Sequence, residues 1–189
     1  MDLRSWVLDD HRAVLERMDR GVLSLVPKDR WTEHVDAGGS SIAWLLFHVA
    51  YHQDLAAGLV MGRPPHVAER RDSLGVGGLD PVVGVGEAEV AGIADVLDVD
   101  ALESYVRDVH TEVATRLSDV DAGVFDQVPD SGRYLADVAG ITTDDASWLH
   151  AMWADRPAGW FVQWEMIGHG HTHVGEMVSI RNRMGLSPF

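Results

Sequence analysis

Apolar residues recur at three- and four-residue spacings in several separate stretches, the period of helices that bury one face. In the first stretch, Trp6, Val7, Val14, Leu15, Met18, Val22 and Leu23 form a stripe that ends before Pro27. A polar connection through Asp36-Ala37-Gly38-Gly39 follows, with Ser40 or Ser41 placed to cap the next helix. That helix, Ile42 to Met61, is the most apolar segment of the chain. Leu45, His48, His52, Leu55 and Leu59 share one of its faces, and Trp44, Phe47 and Tyr51 an adjoining one. Gly62-Arg63-Pro64-Pro65 stops it.

The glycines at 75, 77, 78, 84 and 86 exclude one long helix between Pro64 and Val96. A long surface connection is expected there, with a short helix near Glu87 to Ala94. No Lys-Ser/Thr follows these glycines, so they do not form a phosphate loop. Asp100 with Glu103 reads as a capping box opening a helix through Leu102, Tyr105, Val106, Val109, Val113 and Leu117. After a loop-like stretch from Asp121 to Thr143, Asp144 or Asp145 caps a short helix through Trp148, Leu149, Met152 and Trp153, closed by Pro157. The last helix runs from about Trp160 to Met184 and stops at Gly185. The pattern predicts an all-α protein, a four-helix bundle with long connecting loops, forming a single domain over 1–189.

Composition narrows the function. Thirty acidic residues against fifteen basic ones give a formal charge of −15, a field that repels phosphate backbones and anionic lipid, so neither nucleic acid nor membrane is an expected partner. There is no cysteine, which excludes disulfides, thiolate metal sites and a Cys nucleophile. Any transition metal must then sit on His, Asp or Glu. The start of the chain lacks the basic and apolar regions of a secretory signal, and no apolar run nears the roughly 18 residues of a membrane span, so a cytoplasmic location is expected.

The chemistry concentrates in His169-Gly170-His171-Thr172-His173. Helical positions four apart share a face, so His169 and His173 can reach one ion, whereas His171 points away. A third ligand must come from elsewhere, and His48 leads because an unpaired imidazole amid Leu45, Phe47 and Val49 would be costly to bury. His52, one turn later, could serve as a fourth ligand, an acid–base group or a partner of the ligands. A single His on an apolar face is more often a hydrogen-bonded core residue, and a pair four apart also arises by chance; two such pairs on the most apolar faces weigh against both. His11, His34, His66, His110 and His150 are read as surface or loop residues, and Asp9-Asp10 and Asp144-Asp145 as helix-start acids. Glu176 either orients His173 or is solvated. No Gly-x-Ser-x-Gly elbow and no His-Glu-x-x-His motif is present.

The stretch Ser41-Ile42-Ala43-Trp44-Leu45-Leu46-Phe47-His48-Val49-Ala50-Tyr51-His52, with His169-x3-His173-Val174-Gly175-Glu176-Met177 and Ile180-Arg181-Asn182-Arg183-Met184-Gly185, resembles the DinB / YfiT-like metalloenzyme superfamily. The resemblance implies a four-helix bundle, often a homodimer, that binds zinc, nickel or a similar divalent ion through His48, His169 and His173. His52 is not a regular ligand position of that family. Relatives include mycothiol-dependent maleylpyruvate isomerases, whose last-helix motif resembles Glu-x3-His; with His169 at that place, isomerase activity does not carry over.

Two functions follow. The first is an enzyme in which the metal acidifies a water or a low-molecular-weight thiol. A thiol supplied by a cosubstrate suits a chain without cysteine, and the scarcity of Lys beside frequent Ala, Val, Gly, Asp and Arg is the usage of a GC-rich genome, which points to mycothiol. His52 is then the candidate general base, since an imidazole ordinarily titrates near pH 6.5. The small-molecule partner would be the thiol and its electrophile, or a hydrolysed substrate. The second is a non-catalytic, stress-related or partner-binding protein whose metal pins two helices together.

Overall fold

In the computed structural model, the described residues are 2–35, 39–79 and 87–189, with side chains unassigned for 87–91. Among them the chain is helical and contains no strand. Helix α1 spans Leu3–Met18 and ends in a π turn at Asp19–Leu23. Helix α2 spans Ile42–Met61, α3 Val67–Arg70, α4 Glu87–Val96 and α5 Val99–Asp119. Short α6 (Ser131–Arg133) leads into a second π turn at Tyr134–Val138, and α7 spans Thr143–Trp153. Helix α8 (Ala158–Phe161) runs through a π turn at Val162–Gly168 into α9 (His169–Arg183).

The four long helices close a ring: α2 packs on α5, α5 on α1, α1 on α9 and α9 on α2. This is an all-α four-helix bundle. Its centre is filled by Val14, Met18, Ile42, Leu45, Phe47, Leu55, Tyr105, Val109, Met166 and Met177, all nearly or wholly shielded from solvent. Helix α2 is the spine, with 17 of its 20 residues buried, which is why it reads as apolar on every side. Yet no helix among the described residues is long and apolar enough to cross a membrane.

The ends of α2 follow local chemistry. The Ser41 hydroxyl accepts from Trp44 N–H at 3.1 Å, and Gly62 ends the helix at φ 68°, a left-handed conformation natural to glycine. At the far end of α2 the buried carboxylate of Asp54 accepts from Tyr105 Oη, Arg63 Nη1 and the backbone N–H of His66 and Val67 at 2.8–3.0 Å. This tie fastens the chain leaving α2 against α5.

Several expectations are corrected. The cap of α5 is Asp98, whose side chain accepts from Asp100 and Ala101 N–H; Glu103 is engaged by Lys28 and Arg107. Helix α7 is capped by Thr142, in a capping box with Asp145. Asp2 caps α1, so Asp9 and Asp10 lie within the helix instead of at its start. Trp6 is exposed, although its neighbour Val7 on the same helix is buried. Val67, Leu74 and Val76 are buried, so the segment after Pro64 is more than a surface connection; residues 80–86 of its Gly-rich part lie outside the described residues. The stretch from Asp121 to Thr143 holds helical turns and buries Tyr134 and Leu135. His11 and His110 are core residues, stacked ring on ring between α1 and α5.

Candidate metal centre

Helix α2 delivers His48 and the first two turns of α9 deliver His169 and His173, each partly buried. The Nε2 atoms of His48 and His169 stand 3.2 Å apart, and those of His169 and His173 3.0 Å apart. Nitrogens held tetrahedrally by one ion at about 2.0–2.1 Å would be about 3.3 Å apart, close to what these rings adopt. His171, on the opposite side of α9, faces Asp10 of α1.

The donor chemistry fits a cation. Burial, followed by its neighbours His52, His169 and His173, pushes His48 far below the usual imidazole range. Burial, then His52 and His173, pushes His169 down to about 2. Both rings are neutral at pH 7, the form that ligates a metal. His173 Nδ1 lies 2.9 Å from Glu176 Oε2, and a carboxylate accepts, so Nδ1 is the donor there and Nε2 is the atom turned to the cluster. The hydrogen bond from His173 in turn holds the Glu176 carboxyl below its ordinary value. The Nε2 of His169 faces two other Nε2 atoms and can serve as hydrogen-bond partner to only one by donation, so the trio cannot satisfy itself with protons alone. Nδ1 of His48 and of His169 has no hydrogen-bond partner among the described residues.

His52 is buried and adjoins the cluster, its ring centroid 4.5 Å from that of His48 and 4.7 Å from that of His169. Its ligating atoms do not join the three-nitrogen group; they group instead with Glu165 and His169. Nδ1 of His52 donates to Glu165 Oε2 at 3.1 Å, and Trp153 Nε1 donates to Glu165 Oε1 at 2.7 Å. Glu165 is wholly buried. The sequence reading passed over it, although a lone carboxylate in the apolar run Phe161 to Ile167 carries the same signal that singled out His48: a buried charge needs partners.

The π turn at Val162–Gly168 carries Glu165 immediately before the helix that carries His169 and His173. Such insertions are frequent where a helix presents functional groups. Gln53, buried on α2, donates to the Met166 carbonyl at 2.8 Å and pins the turn to the spine of the bundle. Aromatic rings wall the cluster: Trp44 stacks on His48, Trp148 on His52, and Trp164 tilts against His169.

Residues 8–177 match the family model of the DinB superfamily. A crystal structure of a conserved protein from Enterococcus faecalis is similar in fold, with a TM-score of 0.71 at 15% identity, covering 98% of this chain and 99% of that one. No curated protein matches the chain.

Proposed function

The chain belongs to the DinB superfamily, and from that premise we propose that it is a metal-dependent enzyme in which His48, His169 and His173 hold a divalent ion and His52 moves a proton. The observation that carries this reading is the convergence of three imidazoles, with His169 Nε2 3.2 Å from that of His48 and 3.0 Å from that of His173, and all three ligand atoms within 4.8 Å of one another. Zinc or nickel on three neutral nitrogens would keep its full charge and open coordination positions, and would acidify a bound water or thiol.

The chain's own groups divide the remaining work. Glu176 keeps the His173 proton on Nδ1. Glu165, fixed by Trp153, accepts from His52 Nδ1 and so orients a ring that lies beside His169, where it is the proposed proton carrier. The aromatic walls limit the water that reaches these rings. The proposed reaction is transfer of a low-molecular-weight thiol, of mycothiol type, to a small electrophile, with hydrolysis as the variant when water takes the thiol's place. A cytoplasmic homodimer is the proposed setting.

The second reading is a non-catalytic metal-bound protein, for which a closed four-imidazole shell would be the natural arrangement. His52 groups with Glu165 instead of with His48 and His173, which favours the open, catalytic site.

Elemental analysis tests the assignment. Native protein is expected to hold about one metal per chain, His169→Ala to lose it, and His171→Ala to keep it. Unchanged content in His169→Ala would remove the site. Incubating the metal-loaded protein with thiols and electrophiles should give thioether product that depends on His52; silence across thiols and hydrolysable esters would favour the non-catalytic reading.

A further inference from the structure

Basic residues are scattered along the sequence and outnumbered two to one by acids, yet the fold gathers three arginines around one groove of about 520 Å³. Arg17, on α1, and Arg20, in the π turn after it, line one side. Arg181, near the end of α9, lines the other, with Val174 and Val178 two turns and one turn before it as an apolar wall. Arg181 is 5% exposed and is the only buried arginine among the described residues. Its Nη1 donates to the Gly21 carbonyl, and its Nε and Nη2 both donate to Asn182 Oδ1. A guanidinium carries five N–H donors, so one on each terminal nitrogen is left without an acceptor. No carboxylate pairs with it among the described residues, although an unpaired charge is costly to bury and this chain is rich in acids.

We propose that this groove binds a small amphiphilic carboxylate, with its head among Arg17, Arg20 and Arg181 and its alkyl or aryl body along Val174 and Val178. The charges that select this occupant are fixed, because a guanidinium does not lose its proton in a protein. Arg17, like Arg181, has no carboxylate partner among the described residues. Arg20 meets Glu16 at 3.6 Å, with both side chains exposed, so three cations line the groove against one acid. The N–H fork of a guanidinium matches the two oxygens of a carboxylate, whereas an amine of the same length would face cations with little to offset them. The apolar wall favours an occupant with a hydrocarbon body over a bare anion, and the volume is that of a small-molecule site. The site does not depend on the metal centre, since none of His48, His169 and His173 lines the groove.

Calorimetric titration of the full-length chain with hexanoate, octanoate, n-octylamine and inorganic phosphate tests this. Saturable binding of one octanoate per chain is expected, with hexanoate weaker by up to about fourfold for each methylene group removed. Octylamine and phosphate should each bind about tenfold more weakly than octanoate, or worse. Arg17→Glu, at an exposed position, should keep the helical circular-dichroism spectrum and weaken octanoate about tenfold. Trp6→Ala, on the exposed apolar surface at the other end of α1, and His169→Ala, in the metal centre, should both bind octanoate as the native chain does. Absence of saturable octanoate binding, equal affinity for octylamine or phosphate, or indifference to Arg17→Glu would overturn the proposal. So would loss of binding in Trp6→Ala or in His169→Ala, because the carboxylate would then sit on the Trp6 surface or on the metal.

Discussion

Glu165 has no solvent contact, and its two oxygens are each used once, by Trp153 Nε1 and by His52 Nδ1. An amide in its place keeps an oxygen for the indole but offers His52 an uncharged partner that can also donate. Glu165→Gln is therefore expected to lower stability by about 1–3 kcal/mol, measured by urea unfolding, while metal content should persist because the proposed ligands are three other rings. Loss of the metal in this variant would mean that Glu165 is itself a ligand, in the His52–Glu165–His169 group. The approach of His48, His169 and His173 was legible in the sequence, because four-residue spacing fixes a helix face and an apolar neighbourhood marks an imidazole that needs a partner. The Glu165–His52 pair was not legible. Its members are 113 positions apart on different helices, and only the packing of α2 on the π turn brings them together.

At the level of the elements, residues that act locally were read well. Ser41 and Gly62 bracket α2, and Gly185, at φ 77°, follows α9 as its stop. The π turns escaped notice because one extra residue in a helical turn leaves the apolar period almost intact over a short window. The starts of α5 and α7 were misplaced by two or three residues because several acids compete for each cap and the backbone chooses among them. Asp98 wins in α5 because its backbone is extended, with φ −73° and ψ 111°. The space between α1 and α9 is set by Gly170, where an added Cβ would stand 2.7 Å from Val14 Cγ1. Gly170→Ala gains helix propensity but forces apart two helices whose contact aligns His169 and His173. A net loss of about 1–3 kcal/mol is expected, seen as a lower urea midpoint with unchanged slope. A stabilised variant would show that the two helices yield at this point without cost.

The molecule as a whole combines an acidic exterior with neutral histidines inside, and the two respond to acid in opposite senses. Protonating surface carboxylates relieves the self-repulsion of a chain with a formal charge of −15. The stacked pair His11 and His110, with ring centroids 3.9 Å apart, works against folding as pH falls. Burial, then His110 and Arg12, pushes His11 down to about 2; burial pushes His110 down to about 4 against the pull of Asp19. In the unfolded chain both titrate near 6.5. Above that pH neither ring distinguishes the two states. Below it the unfolded chain takes up protons that the folded one refuses, so stability declines until each folded value is reached. The slope is about 1.4 kcal/mol per pH unit for each ring. Neither nitrogen of His11 has a hydrogen-bond partner among the described residues, so His11→Phe keeps the stack on His110 while removing an unsatisfied group and a proton site. Urea unfolding should find this variant as stable as the native chain or more so at pH 7, and more stable by a further 2 kcal/mol or so at pH 5. The surface carboxylates and the other buried histidines are common to both proteins, so the difference isolates one ring. Parallel stability curves from pH 7 to pH 5 would mean that His11 accepts its proton without leaving the core.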